Sequence, residues 1–152
     1  MSTKKLIVTT ISMVGTRMKT STKVAIVGAM VASFLAAGFA FADHHAVKVA
    51  KKEGIGSYLT DINGMTLYYF KKDSAGKSAC EGPCVENWPL YYRETVAPKD
   101  GLAASDFGTI TRPDGKKQTT YKGMPLYYFA KDKKPGDTLG QGVKDIWYVV
   151  NP

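Results

Sequence analysis

From residue 55 onwards, apolar and polar side chains alternate with the two-residue period of β-strands, and no helical period of useful length occurs. The alternation and the dense β-branched and aromatic residues predict strands at 57–61, 65–71, 88–92, 106–112, 118–121, 124–131 and 146–150. Tight turns are predicted at Asn63-Gly64, Pro113-Asp114-Gly115 and Lys122-Gly123. Residues 73–87 are predicted to form a loop, and 93–105 a linker. The pattern indicates an all-β domain of about eight short strands.

One segment of the chain occurs twice. Residues 64–73 read GMTLYYFKKD and residues 123–132 read GMPLYYFAKD, an offset of 59 that Trp88 and Trp147 share. Such repetition indicates a duplicated supersecondary unit. A repeat of about 50 residues could not bury its apolar face alone. We therefore expect two repeats, about 55–95 and 106–152, to pack on each other as a small sandwich or barrel, in one domain over 55–152.

The first 42 residues are predicted to be a secretory signal peptide. Residues 24–42 are apolar and uncharged, two lysines precede them, and Ala40-Phe41-Ala42 is a small-x-small cleavage site. Residues 1–17 are long for the region before the apolar run, so Met18 is an alternative start. The competing interpretation is an uncleaved transmembrane anchor, because about 20 apolar residues can span a bilayer.

Removing the leader changes the charge of the chain. The whole sequence carries +8, but five basic residues lie in the leader and all 13 acidic residues lie beyond it, which leaves +3. Because these charges are interspersed without a basic stripe, nucleic acid is not expected as a partner. Residues 43–54 are polar and are interpreted as a flexible tail. We expect a soluble periplasmic or extracellular protein that touches a membrane only through an uncleaved leader.

The two cysteines, Cys80 and Cys84, lie in a loop rich in turn formers. An even count in an oxidising compartment favours a structural disulfide. Its short loop predicts a stabilisation of about 1–3 kcal/mol. A copper(I) dithiolate or a redox switch is the alternative. At the same offset the second repeat has Leu139 and Val143, so apolar packing is expected to replace the disulfide there.

The two histidines, His44 and His45, are adjacent. Cleavage after Ala42 would place His45 third in the mature chain. A free amine, two backbone nitrogens and that imidazole form a square-planar set that suits copper(II) or nickel(II). The sequence favours the plainer interpretation, a solvated polar tail, and the metal site is the alternative.

The duplicated segment places two aromatic residues of each repeat on one strand face, Tyr68 with Phe70 and Tyr127 with Phe129. Such a row is typical of a core, in which the tyrosine hydroxyls need partners. Asp73 and Asp132 follow their strands and are predicted to accept hydrogen bonds from turn amides. The alternative is a shared tyrosine and tryptophan surface for a sugar, quinone or haem, to which each repeat contributes half.

The motifs Tyr68-x-Phe70-x-x-Asp73 and Tyr127-x-Phe129-x-x-Asp132 resemble the bacterial secreted-repeat, or predicted lipoprotein, family, which is defined by Tyr-x-(Phe/Trp/Tyr)-x-x-Asp. Flanking segments around Trp88 and Trp147 also fit, and the resemblance covers nearly all of 55–152. It implies an exported envelope protein and brings no established activity. Many members resemble lipoproteins, whereas this chain has no cysteine near the predicted cleavage site to accept a lipid.

Catalysis has little support in the sequence. Residues 46–152 contain no histidine, and Gly140-Gln141-Gly142 does not open a helix as phosphate-cradling loops do. We predict an exported binding or scaffolding protein, not an enzyme, with an unknown envelope partner or small ligand. The alternatives are a copper- or haem-associated electron-transfer accessory and an enzyme that uses paired carboxylates.

Overall fold

The computed structural model describes residues 45–152. The predicted signal peptide, the alternative start at Met18 and His44 lie outside the described residues. Within this range the strands and the one short helix are β1 (Ala46–Lys52), β2 (Gly56–Asp61), β3 (Tyr68–Phe70), α1 (Pro83–Asn87), β4 (Ala97–Pro98), β5 (Phe107–Thr111), β6 (Lys117–Tyr121), β7 (Met124–Pro125) and β8 (Trp147–Val149). Two 3-10 turns lie at Ala104–Asp106 and Val143–Asp145. No helix among the described residues is long and apolar enough to cross a membrane.

The strands form three small sheets, and the predicted all-β fold with one disulfide is confirmed. β1 lies between β2 and β4, β6 lies between β5 and β7, and β3 pairs with β8. Each pairing is antiparallel except that of β1 with β4. The sheets are separate and do not close into a barrel. Because β3 belongs to the first repeat and β8 to the second, the predicted packing of the repeats on each other is confirmed.

Two clusters of buried side chains fill the interior. One contains Val47, Leu59, Leu67, Tyr91, Tyr121, Leu126 and Val150. Val47, Leu59 and Leu67 are fully buried, and burying each such side chain stabilises the fold by about 1.5–3 kcal/mol. The other cluster is mainly aromatic and is built around β3 and β8. The second cluster positions the candidate site.

The prediction of a flexible tail over 43–54 is wrong for residues 46–52. These residues form β1, which pairs with β2 from Val47 opposite Asp61 to Lys52 opposite Gly56. Ala46 and Val47 are buried, whereas Lys51 and Lys52 lie at the exposed end of the strand. The lysines made the segment look solvated, but Ala46 and Val47 at its start supply the buried positions of the strand.

The predicted turn at Asn63-Gly64 exists, but its geometry and the strand after it differ from expectation. Only Gly64 has a positive φ, of 80°. One carboxylate oxygen of Asp61 accepts the N–H groups of Asn63 and Met65 at 2.9 Å each, so the aspartate shapes the turn. Residues 65–71 do not form one continuous strand. The Leu67 N–H donates to the Leu59 carbonyl of β2 at 2.9 Å, whereas β3, which begins at the next residue, pairs with β8. At Lys122-Gly123, in contrast, both φ angles are positive, and a two-residue turn joins β6 to β7.

The strand predicted at 88–92 is also absent. Trp88 follows α1, a single helical turn with Pro83 in its first turn, where a missing N–H costs nothing. Leu90 makes only an isolated bridge to Tyr127. The predicted linker at 93–105 contains β4, whose Ala97 N–H donates to the carbonyl of His45 at 3.0 Å. The second strand predicted to be long, 124–131, is reduced in the same way to β7.

Candidate functional site: an aromatic groove between the repeats

The two copies of the duplicated segment meet at their first tyrosines. The Tyr68 N–H donates to the Tyr127 carbonyl at 2.8 Å, and the Tyr127 N–H donates to the Tyr68 carbonyl at 2.9 Å. This reciprocal pair is the antiparallel bridge between equivalent residues. Both side chains are fully buried. The junction therefore lies where equivalent residues of the two repeats face each other.

Each tyrosine hydroxyl donates to the aspartate of the other repeat. The distance from Tyr68 Oη to Asp132 Oδ2 is 2.7 Å, and that from Tyr127 Oη to Asp73 Oδ2 is also 2.7 Å. We call these the crossed pairs. The motif Tyr-x-Phe-x-x-Asp is thus completed across the junction and not within one repeat. Sequence analysis gave the tyrosine a general need for a partner but did not identify this exchange.

The other oxygen of each aspartate caps the loop that follows it. Asp73 Oδ1 accepts the N–H of Ala79 at 2.7 Å, and Asp132 Oδ1 accepts that of Leu139 at 3.0 Å. Burial is the main cause that raises the pKa of both carboxyl groups, and the hydrogen bonds they accept oppose it. Burial likewise raises the pKa of the hydroxyls of Tyr68 and Tyr127, which therefore stay protonated as donors.

Four aromatic rings form a continuous stack beside the crossed pairs. Phe70 stacks on Trp147 at 4.3 Å between ring centroids, Trp147 on Trp88 at 3.8 Å, and Trp88 on Phe129 at 4.3 Å. The two indoles are nearly parallel, at 5°. Phe70 and Trp88 come from the first repeat and the other two rings from the second, so every contact between a phenylalanine and a tryptophan joins the repeats. We call these residues the ring stack.

A groove of about 460 Å³ opens over the ring stack. Its walls include Cys84 and Asn87 of the short helix α1, and Val143 and Lys144 of the 3-10 turn. Lys131, two residues after the last ring of the stack, also lines it. The two repeats thus contribute both the floor and the walls.

The disulfide predicted between Cys80 and Cys84 is present and holds one wall of the groove. Cys80 is fully buried, and Cys84 is partly buried against the aromatic cluster. The guanidinium of Arg112, itself 5% exposed, donates to the Cys80 carbonyl and to Gln118 Oε1. The loop is therefore fixed covalently and through a buried arginine of the second repeat.

Scans against known proteins agree with this duplication. A family model described as a secreted repeat of unknown function matches residues 49–91 and again 108–151. The chain belongs to this secreted-repeat family. Each match contains one copy of the Tyr-x-Phe-x-x-Asp segment and the tryptophan that follows it, Trp88 in the first and Trp147 in the second. No curated protein and no solved structure matches the chain.

In this secreted repeat protein, the expectation that Leu139 and Val143 replace the cysteines by packing is wrong for Leu139, which is 61% exposed. The cap hydrogen bond shows why: Asp73 reaches the sixth residue after it, whereas Asp132 reaches the seventh. The stretch between the aspartate and the capped amide is one residue longer in the second loop, so Gly140 is the counterpart of Cys80. The Gly140 N–H donates to Tyr68 Oη at 3.2 Å, and an added Cβ would lie 2.7 Å from Tyr68 Cε1.

The predicted site residues divide into two groups. The structure brings together all eight residues of the repeat motif, namely Tyr68, Phe70, Asp73, Trp88, Tyr127, Phe129, Asp132 and Trp147. His45 is exposed before β1 and does not line the groove, while His44 is not described, so the copper site stays a prediction. Within residues 45–152 no group of three histidine, cysteine or acidic side chains could hold a metal.

Three residues of the site escaped sequence analysis. Gly140 was noted only as part of Gly140-Gln141-Gly142, Lys131 only as the end of the strand predicted at 124–131, and Lys144 was not singled out. Lys131 gave no usable signal, because it lies in the turn that follows Phe129, where the two-residue alternation of a strand does not apply. Lys144 gave no such signal, because it lies in an irregular turn.

Proposed function

We propose that this secreted repeat protein is a non-enzymatic binding protein whose ligand occupies the groove. The observation that carries the proposal is the shared construction of the groove: the ring stack is made of two rings from each repeat, and the crossed pairs fix the repeats on each other behind it. A duplicated unit that builds one concave site from two halves favours binding over a purely structural role.

The dimensions and rigidity of the groove support this proposal. Sites for small molecules have volumes of about 300–1,000 Å³ and are lined mainly by apolar and aromatic side chains with few polar groups. The groove has about 460 Å³, and the four rings of the stack form its floor. All four rings are more than nine-tenths buried, so they are ordered before any ligand arrives. Such preorganisation lowers the entropy cost of binding.

The chemistry of the lining favours binding over catalysis. Among the described residues that line the groove, the ionisable side chains are two lysines, and the cysteine is in a disulfide. Asp73 and Asp132 lie behind the stack, where each is bonded to a tyrosine and a backbone amide. A pair of carboxylates acting on a substrate in the groove, as glycosidases require, has no counterpart there.

Haem fits the groove less well than an organic ligand without a metal does, because the described residues that line the groove offer no ligand for iron. Iron in proteins is held by histidine, methionine, tyrosine or cysteine thiolate. The lining residues offer none of these, because Cys84 is oxidised. The disulfide also suits the periplasmic or extracellular location that we propose for the processed chain.

Tryptophan fluorescence tests the proposal directly, because both tryptophans of the chain belong to the ring stack. We expect a small aromatic probe, anilinonaphthalene sulfonate or phenylnaphthylamine, to change the tryptophan emission in a saturable way. Asn87→Tyr places a larger side chain in the groove and should abolish that change. The matched control is Asn63→Tyr, at an exposed position in a distant turn.

The proposal is overturned if neither probe gives a saturable signal with the folded protein. It is equally overturned if Asn87→Tyr and Asn63→Tyr bind the probes as the unmodified protein does, since binding would then lie outside the groove.

A further inference from the structure

The charge of the groove has one sign. Lys131 and Lys144 line it, and none of the carboxylates in the described part of the chain does. Neither lysine forms an ion pair with an acidic side chain within residues 45–152, whereas Arg112 and Lys116 both pair with Asp114. Two lysines in the lining of a concave, largely apolar surface raise the local positive potential, because low-dielectric walls focus the field.

The turn that presents Lys144 is held in an uncommon backbone conformation. Lys144 and Asp145 have φ angles of 53° and 56°, and Gly142, two residues before Lys144, has a φ of 76°. Residues with a Cβ rarely adopt this left-handed conformation, which costs roughly 1–2 kcal/mol each. In the first repeat the equivalent wall is an ordinary helical turn, α1. Strain of this kind persists where the surrounding structure enforces it, and here it sets a lysine on the groove wall.

The floor of the groove favours a flat, electron-rich molecule. The two indoles are covered on both faces by their neighbours in the stack, so they turn their edges toward the groove. Ring edges carry the positive part of the aromatic quadrupole and attract the negative face of another π-system. A sugar prefers an open ring face, which the inner rings of the stack do not offer.

We infer that the groove selects flat aromatic anions: the ring edges contact the face of the ligand, and Lys131 and Lys144 bind its carboxylate or sulfonate. This inference rests on the proposed function and names the ligand class for the same site. A neutral aromatic molecule would use only the floor, and a cation would be repelled by both lysines.

Two probes of similar aromatic size test the inference, namely the anion anilinonaphthalene sulfonate and the neutral phenylnaphthylamine. The variant Lys131→Gln with Lys144→Gln removes the groove charges, and Lys77→Gln with Lys117→Gln removes two exposed lysines that do not line the groove. We expect the groove variant to weaken binding of the anion by about five- to ten-fold, as two solvent-accessible charge pairs can, and to leave the neutral probe unchanged. The control should bind both probes normally.

Added salt should reproduce the effect of the groove variant, weakening the anion only, because these charges face solvent. If both probes bind the unmodified protein equally and the groove variant changes neither, the groove binds ligands but the inferred ligand class is wrong. If neither probe binds, the proposed function itself fails. An equal loss of anion binding in the control would assign the effect to net charge and overturn the inference.

Discussion

The two loops that follow the motif aspartates are closed in different ways. In the first repeat, the loop from Asp73 to Trp88 is closed by a disulfide, with the buried Cys80 beneath it. In the second, the loop from Asp132 to Trp147 has no covalent link, and Gly140 lies directly against Tyr68. Both loops keep the carboxylate cap and the crossed pair. The duplicated features are therefore those that the repeats use on each other, while loop closure is free to differ.

This difference has a thermodynamic consequence. A disulfide stabilises chiefly by restricting the unfolded chain, so its effect does not require a perfect fit in the folded state. A glycine in close contact contributes only through the fit of the folded state, because it adds freedom to the unfolded chain. The second loop should therefore be the more sensitive of the two to small changes in side-chain volume.

The largest effects are expected where the repeats are alike. Tyr68→Phe leaves the buried Asp132 without its hydroxyl donor, and Tyr127→Phe does the same to Asp73. Each should lower the free energy of unfolding by about 2–3 kcal/mol, because a buried acceptor loses its partner. Urea unfolding measures both. Tyr69→Phe is the matched control, since that hydroxyl makes no hydrogen bond within the described residues and its ring is only partly buried.

Near-equal losses for the two tyrosine variants would support the crossed arrangement. A loss in one variant with none in the other would show that only one repeat depends on its neighbour. The crossed pairs would then not be an equivalent feature of the two repeats.

Gly140→Ala tests the closure that only the second repeat uses. The added Cβ would lie 2.7 Å and 2.8 Å from two ring atoms of Tyr68 and 3.0 Å from Trp88 Cη2. Because both rings are buried in the aromatic cluster, we expect a loss of about 2 kcal/mol from overpacking. Leu139→Ala, at the exposed neighbouring position, should change the stability of the protein very little. Thermal and urea unfolding of the two variants check this prediction.

Strands in which apolar and polar residues alternate regularly were predictable from the sequence. Strands that form only by pairing with a segment distant in sequence were not. Residues 57–61 and 106–112 alternate and become β2 and β5. The segment at 46–52 is lysine-rich, and only pairing on both sides makes it a strand. The strand predicted at 65–71 is divided because its second half pairs with β8, a choice that no local pattern encodes.

The composition of the site was predictable, but its connections were not. A repeated motif identifies Tyr68, Asp73 and their counterparts, yet the same spacing fits bonds within a repeat or between repeats. The shifted counterpart of Cys80 was hidden because the second loop is one residue longer before Leu139 and one shorter after it. The two changes cancel, so the tryptophans keep the same offset as the motif.

Removing the disulfide should have a smaller effect than either change above. With Cys80→Ser and Cys84→Ser together, we expect a loss of about 1–2 kcal/mol, because only a very short loop is released. Reduction of the unmodified protein should give the same loss, measured by urea unfolding with and without reductant. A much larger loss would mean that the first loop also depends on the fit of its folded state, and the contrast between the loops would disappear.

The smallest expected effect is a difference in how stability responds to pH. Burial raises the pKa of Asp73 and Asp132 above the ordinary value of 3.8, so the folded state holds these protons more tightly than the unfolded chain does. Their contribution to stability is then fully present below about pH 3.8 and is lost as pH rises through the raised pKa. Replacing both by Asn should remove this downward slope, whatever it does to absolute stability.

The pKa of Asp137, in the second repeat, is shifted in the opposite direction. Backbone N–H groups, first that of Lys133, lower the pKa of its carboxyl, so its contribution is present above pH 3.8 and is lost as pH falls through the lowered pKa. Urea unfolding across acidic pH should therefore show that Asp137→Asn and the double variant of Asp73 and Asp132 change the slope in opposite directions. If the double variant has the same slope as the unmodified protein, the buried carboxylates titrate normally. The crossed pairs would then offset the whole desolvation cost of holding two charges behind the ring stack.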